Sequence, residues 1–365
     1  MVRRRFGEWQ AAVDRHSSYT VDGGHRPRRT HDPNLTAHHS LLTQMLPPND
    51  RLTICFAHGA YRMGERFALR RTGIAHVEVR TVEDLGRHLP AADVLAVSML
   101  WKNELAATAP RLRLIQSISA GTDQYDKALL RDRGIRLASA AGVNAEAVAE
   151  HAMALILALA RRLPEARDNQ MARRWRGMIG DIAAREDQLT AKTLLIVGMG
   201  RIGTRLARLA RAFDLRVVAI RRDPARGADG ADAVAGPDRL HDLLGQADIV
   251  ALACPLTPDT ENLIDAAALA AMKPAAHLIN VARGRVVDEP ELIAALQEGR
   301  LAAAALDVTR EEPLPAASPL WSLPNVLLTP HTAGETQRYE DGVIDLLLAN
   351  LDRLRRGEML VNEVV

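Results

Sequence analysis

The stretch LIVGMGRIGT, residues 195–204, decides how this chain is read. An apolar, β-rich run over residues 193–197 stops at three glycines, Gly198, Gly200 and Gly203, and a helix-forming run begins at Arg201. Strand, tight turn and helix N-terminus follow in the order that a dinucleotide pyrophosphate requires. Gly198 permits the turn and Gly200 lets the backbone approach the phosphates. Gly203 lets the helix pack on the strand, and the positive end of the helix dipole faces the anion. A G-x-G-x-x-G alone occurs in many glycine-rich loops. Between a strand and a helix it predicts a dinucleotide-binding turn.

Working outward, the chain alternates strand and helix on both sides of that turn. Upstream, apolar runs fall at residues 52–57, 77–79, 94–97, 112–118 and 135–138. A helix is expected over 144–162, apolar nearly all round, which implies burial between domains or subunits. A polar stretch, 164–187, then links it to the glycine turn. Downstream, strands are expected at 195–197, 217–220, 249–253, 277–280, 303–306 and 326–328, with an amphipathic helix over 335–356. This βαβ rhythm predicts an α/β protein of two doubly wound domains with parallel sheets. Ligands of such folds bind at the carboxyl ends of strands.

Composition agrees with two domains. The 365 residues are 47% hydrophobic and 25% charged, with a net charge of +2. That balance gives no whole-protein drive toward nucleic acid or a membrane surface. Two cysteines, Cys55 and Cys254, both within apolar runs, argue against a disulfide framework and for a reducing compartment. The longest apolar stretch, 152–160, is too short to span a bilayer, and no signal-peptide core is seen near the start. A cytoplasmic location is expected. Residues 1–48 differ from the rest, with His16, His25, His31, His38, His39, Arg3, Arg4 and Arg5 and no apolar periodicity. They read as a disordered extension, since no ligand-like spacing stands out; a metal-binding or nucleic-acid arm is the alternative. Met45 is an alternative expected translation start.

Three segments after the glycine turn place polar residues at predicted strand ends. LINVARGRVVDEPEL, 278–292, carries Arg283; ALDVTREEPLP, 305–315, carries Asp307, Glu311 and Glu312; LLTPHTAGET, 327–336, carries His331. Singly, each reads equally well as a solvated loop residue. Together, a cation for an anionic substrate, a proton donor and an acid to tune that donor suit hydride transfer beside a nucleotide.

Several long motifs carry a family resemblance. LLIVGMGRIGTRLARLARAFDLRV (194–217), ADIVALACPLTPDTENLI (247–264), LINVARGRVVDEPELIAAL (278–296), ALDVTREEPLP, NVLLTPHTAGE (325–335) and the helix NAEAVAEHAMALILALARR (144–162) do so. With them, residues 50–350 resemble the D-isomer-specific 2-hydroxyacid dehydrogenase family, in particular its glyoxylate/hydroxypyruvate reductases. The resemblance implies a flavodoxin-like substrate domain, 49–143 plus 337–365, split by an inserted Rossmann dinucleotide domain, 144–336. It also implies a homodimer, joined through the dinucleotide domain and its preceding arm.

Residue by residue, the resemblance gives His331 the role of general acid/base and Glu312 that of its carboxylate partner, with Glu311 as the alternative. Arg283 becomes the cation for the substrate carboxylate and C2 oxygen. The chemistry is consistent with those roles. An imidazolium protonates the oxygen as hydride adds to C2, a carboxylate raises its pKa, and arginine offers a planar fork to a carboxylate. Cofactor positions carried over are Gly198, Gly200, Arg201, Ile202, Gly203, Cys254, Pro255, Thr260 and Ala282. Asp307 is placed near the nicotinamide amide, with a turn cap as its alternative role. SISAGTDQYD, 117–126, is expected to offer the backbone N–H groups of Ala120 and Gly121 to the substrate; a plain strand-to-helix turn is the alternative. Met99, Leu100 and Trp101 either line the acyl side of the pocket or pack in the core.

The segment RVVAIRRDP, 216–224, sets Arg221 where the family's ribose-binding aspartate usually falls, with Arg222 next. A cation there suits a 2′-phosphate, so NADP is expected ahead of NAD, unless Asp223 takes the ribose. The expected activity is reduction of a small 2-keto acid, with no metal. Alternatives on this scaffold are an NAD(H)-sensing corepressor-like binding protein and phosphoglycerate dehydrogenase. The latter fits less well because no regulatory segment follows the last expected helix. Formate dehydrogenase is disfavoured because Glu312 stands where those enzymes carry an amide.

Overall fold

The computed structural model describes residues 46–365. Most of the expected extension, with Met45, lies outside the described residues. Its last part does not behave as an extension: Leu46 is buried in the core beside Leu52 and Ile54.

Two parallel sheets organise the described chain. The first contains β1 (Thr53–Ala57), β2 (Ala75–Val79), β3 (Val94–Val97), β4 (Leu114–Ser117) and β5 (Arg136–Ala138), in the order β2-β1-β3-β4-β5. The second contains β6 (Thr193–Val197), β7 (Arg216–Ile220), β8 (Ala233–Ala235), β9 (Ile249–Leu252), β10 (His277–Asn280), β11 (Ala303–Leu306) and β12 (Val326–Leu328). Its order is β12-β11-β10-β9-β6-β7-β8. The sense in which successive strands are added reverses between β1 and β3 in one sheet and between β6 and β9 in the other. Such switch points open a crevice at the carboxyl edge.

Central strands such as β3 and β9 read as unbroken apolar runs because both faces of each sheet are covered there. Along β6, Leu195 and Val197 join one core while Leu194 and Ile196 join the core on the opposite face. The helix Ala145–Ala160 lies on the second face, where Val148, Ala152 and Ile156 pack with Leu194, Ile196 and Leu206. Burying a large aliphatic side chain contributes about 1.5–3 kcal/mol, so this helix is held by packing. It is not buried all round, however: Ala154 is exposed and Leu157 and Leu159 are half-buried. It ends at Ala160, and Arg162 turns into the left-handed region (φ 49°).

Two elements were not foreseen. The polar stretch expected to be a linker contains a helix, Leu163–Met171, with Pro164 in its first turn, where a missing N–H is tolerated. The short edge strand β8 lacks a long apolar signature. The last helix, Tyr339–Arg355, returns to the first sheet, with Val343, Ile344, Leu347 and Leu351 packed against Ile54, Phe56 and Leu114. The terminal residues then run along β5, where Val364 N–H bonds Leu137 O and Ser139 N–H bonds Asn362 O. Among the described residues, no helix is long and apolar enough to cross a membrane.

Candidate active site

The glycine turn leaves the carboxyl end of β6 beside the switch point. Gly198 has φ 106°, and a side chain there would run into the backbone of Ala253 and Cys254 behind β9. Gly203 lies so close to the Gly198 carbonyl that a Cβ would collide with it. At Gly200, by contrast, a Cβ would meet nothing within 4 Å. Gly200 is also the N-cap of the eleven-residue helix Arg201–Arg211, and no side chain caps that end. An open approach to uncapped N–H donors at the positive end of a helix is what a pyrophosphate needs. The residues fit the group.

The other expected cofactor positions gather along the same edge. Cys254 and Pro255 follow β9, and the Pro255 carbonyl accepts the Thr260 hydroxyl at 2.7 Å. That hydroxyl oxygen also accepts the Thr257 N–H at 2.8 Å, so the loop is braced. Burial pushes the Cys254 thiol up to about 11, which leaves it a packing group. Ala282 follows β10, and its N–H donates to Asn280 Oδ1 at 3.0 Å. The Arg201 side chain does more than was expected of it. Its Nη1 donates to the Ala141 carbonyl at 2.7 Å, tying this helix to the segment that joins the two sheets.

His331, Glu312 and Arg283 come from three different strand ends. His331 Nδ1 lies 2.7 Å from Glu312 Oε2, and Glu312 Oε1 accepts the Thr309 N–H at 3.1 Å. A carboxylate only accepts, so Nδ1 carries the proton and Nε2 is left for a substrate. The hydrogen bond to Glu312 raises the His331 pKa above its ordinary value, against burial and the Arg283 charge. Burial pushes the Glu312 carboxyl up, but the His331 hydrogen bond and charge, the Thr309 N–H and Arg283 bring it below the ordinary value. Glu311 does not take this place. Its carbonyl accepts the Thr309 hydroxyl at 2.7 Å and its carboxylate is exposed.

Arg283 is half-buried, and its Nη1 donates to the Ala282 carbonyl at 2.7 Å while Asn280 Nδ2 holds the Arg283 carbonyl at 3.0 Å. A Cβ placed on Gly121, at the end of the other sheet, would stand 3.2 Å from Arg283 Nη2. The N–H groups of Ala120 and Gly121 have no acceptor among the described residues. The Arg283 guanidinium and the Gly121 backbone therefore approach each other from opposite sheets, with the Ala120 and Gly121 N–H groups unpaired among the described residues.

Asp307 is only 2% exposed and binds the His331 loop. Its Oδ1 accepts the Thr329 hydroxyl (2.7 Å) and the Thr332 N–H (3.0 Å), and its Oδ2 accepts the Ala333 N–H (3.1 Å). Its carbonyl takes the His331 N–H at 2.8 Å. His331 sits at φ 56°, a conformation costing on the order of 1–3 kcal/mol for a non-glycine residue, and these bonds hold it there. Asn280, Thr309 and Thr329 were missed as supports, because only their partners in space reveal them.

At the end of β7 the expectation changes. Arg221 Nη1 donates to Asp229 Oδ2 and to the Gly227 carbonyl, both at 2.8 Å, and its side chain is 10% exposed. Asp223 caps the turn Pro224–Arg226 by accepting the Ala225 N–H at 3.1 Å. Arg222 is exposed and has no partner among the described residues. The pocket-lining role considered for Trp101 is also corrected. The indole is 4% exposed, packs on Tyr125 and donates to Asn103 Oδ1 at 2.9 Å, whereas Met99 is 81% exposed at the end of β3. Among the described residues, no group of three or more His, Cys, Asp or Glu side chains is gathered to hold a metal ion.

Comparison with known proteins places this geometry in a family. Residues 153–333 match the model of the D-isomer specific 2-hydroxyacid dehydrogenase NAD binding domain. The glyoxylate/hydroxypyruvate reductase B of Citrobacter koseri is 38% identical over 303 residues, 80% of this chain and 92% of that protein. The glyoxylate reductase of Korarchaeum cryptofilum is 37% identical over 268 residues, 72% of this chain and 80% of that protein. A solved D-isomer specific 2-hydroxyacid dehydrogenase family protein from Aeromonas salmonicida superposes with TM-score 0.76 at 30% identity, covering 86% of this chain and 99% of that one. With identity of this extent spread over both sheets, the chain belongs to the D-isomer specific 2-hydroxyacid dehydrogenase family, NAD(P)-dependent oxidoreductases that act on small 2-keto and 2-hydroxy acids.

Proposed function

We propose that this chain reduces a small 2-keto acid of the glyoxylate or hydroxypyruvate type to the 2-hydroxy acid, with NADPH preferred. The observation that carries the reading is the His331–Glu312 contact at 2.7 Å, with Arg283 and the free N–H groups of Ala120 and Gly121 nearby from opposite sheets. Residues 49–143 with 337–365 then serve as the substrate domain and 144–336 as the dinucleotide domain.

The bound dihydronicotinamide supplies a hydride to C2. Arg283 and the two N–H groups grip the substrate carboxylate, and Arg283 also draws electron density toward the C2 oxygen. His331, protonated at Nε2, gives that proton to the oxygen as the C=O bond becomes C–OH, and water later reprotonates it. Glu312 stabilises the imidazolium before transfer. Asp307, through the loop, keeps the ring in place.

The cofactor preference rests on Arg222, a cation immediately past β7 with no partner among the described residues, with Asp223 already engaged as a cap. A charged hydrogen bond to a 2′-phosphate contributes about 1.5–3 kcal/mol, or roughly 10- to 150-fold in kcat/KM. We also propose a homodimer through the arm after Ala160, where Met171, Trp175, Met178 and Ile182 are all at least 67% exposed. Sedimentation of the wild type and of Trp175→Glu tests this; a wild-type monomer overturns it. The buried free thiols of Cys55 and Cys254 suit a reducing cytoplasm.

The decisive experiment offers a panel of 2-keto acids with NADPH and with NADH. Oxidation of NADPH that depends on glyoxylate or hydroxypyruvate is expected. Binding of the cofactor without turnover of any 2-keto acid overturns the reading.

A further inference from the structure

Behind the His331 loop stands a side chain that the reaction above leaves unused. His151 projects from the helix Ala145–Ala160, and its Nε2 lies 3.0 Å from Thr329 Oγ1 and 3.6 Å from Asp307 Oδ1.

Proton counting fixes the direction of these bonds. The Asp307 carboxylate can only accept, and its Oδ1 takes the Thr332 N–H and the Thr329 hydroxyl. The hydroxyl has one proton, already given to Asp307, so it must accept from His151. Nε2 is therefore the protonated nitrogen, and the chain runs His151 to Thr329 to Asp307. Asp307 is almost wholly buried, and among the described residues no lysine or arginine pairs with it. Each of its side-chain donors lies on residue 329, 332 or 333, on either side of the left-handed His331. Whatever orders Thr329 and Asp307 thus orders the imidazole.

We propose that His151 is a positioning residue for His331. By donating to Thr329 it locks the Thr329–Asp307 bond, and that bond holds residues 329–333 so that the His331 ring meets Glu312 and presents Nε2 to the substrate oxygen. This rests on His331 being the acid/base of the proposed reaction. Misplacing a reacting group by about 1 Å can lower a rate by roughly 100-fold, so the support is expected to register in turnover more than in cofactor binding.

The test uses the full chain and the variants His151→Ala, His151→Gln, Thr329→Val and His331→Ala. The readouts are kcat, substrate KM, cofactor Kd, Tm and the His331 titration midpoint by NMR. His151→Ala is expected to lower kcat by about 10- to 100-fold, with cofactor Kd within about twofold, and to lower the His331 midpoint. His151→Gln, whose amide N–H donates from a similar place, restores both. Thr329→Val repeats the alanine phenotype, and combining it with His151→Ala adds little further loss. The inference is overturned if His151→Ala keeps its kcat and midpoint. It is equally overturned if glutamine fails to restore them or if the two losses add. His331→Ala separates the levels. Full turnover in that variant overturns the acid/base assignment and this inference with it, whereas lost turnover beside an unaffected His151→Ala overturns this inference alone.

Discussion

Two loops leave the carboxyl edge of the seven-stranded sheet with a basic side chain in the register where a ligand contact was expected, and their neighbours treat those side chains in opposite ways. After β12, Glu312 takes only Nδ1 of His331, and Asp307 fastens the flanking backbone, so Nε2 is left free. After β7, Asp229 and the Gly227 carbonyl both take Nη1 of Arg221, leaving the side chain 10% exposed. Strand-end position brings a residue to the edge; the partners around it decide whether it has a hydrogen-bonding site to offer. By that criterion Arg222, not Arg221, is the counterpart of His331 in the second loop.

The largest expected effect is at His331. His331→Ala should lower kcat by roughly 10²- to 10⁴-fold while cofactor Kd, measured by fluorescence titration, stays within about twofold. Near-wild-type turnover would break the comparison at its stronger end. Next comes Arg222→Ala, which should lower kcat/KM for NADPH by about 10- to 150-fold and leave NADH nearly unaffected. If NADPH kinetics survive that change, Arg222 is a solvated bystander.

A smaller effect is expected at Glu312. Its hydrogen bond raises the His331 pKa, so the proton donor persists to higher pH than an isolated imidazole allows. Reduction needs that proton and declines as pH rises through the raised pKa. Glu312→Gln should therefore move the decline of the reductive pH–rate profile to lower pH, with a few-fold loss at neutral pH. An unmoved profile dissociates the pair functionally despite its 2.7 Å contact. The smallest effect sharpens the contrast from the other side. Arg221→Ala removes an ion pair whose Asp229 partner is 45% exposed, so the NADPH-to-NADH ratio should change by less than about threefold. A larger change would return the phosphate contact to Arg221.

The positions of most strands and the glycine turn were legible because their signals are local. Apolar runs of four or five residues, punctuated by glycine and polar turns, mark parallel strands wherever both faces are buried, as on β6. The helix Leu163–Met171 was not legible because its sequence is polar and only one of its residues, Asn169, is buried. The strand β8 was missed for a related reason: Ala233–Ala235 holds one bulky apolar side chain, Val234, and none of its residues is buried. Trp101 and Met99 stand two residues apart at one strand end, yet one is core and the other exposed. Composition does not separate them; the direction of the chain past β3 does.

The sequence by itself determined the two series of parallel strands, the nucleotide turn and the family to which the chain belongs. Each of these is written in contiguous residues whose spacing or identity carries the physics. The tertiary structure alone decided which acid meets His331, which of Arg221 and Arg222 is engaged beyond β7, and what supports the His331 loop. Those outcomes depend on pairs far apart in the chain. His151 and Thr329 are separated by 178 positions, and Gly121 approaches Arg283 from a different sheet. A hydrogen bond needs its partners within about 3 Å and correctly aimed, and over such separations only the packed sheets and helices fix distance and direction.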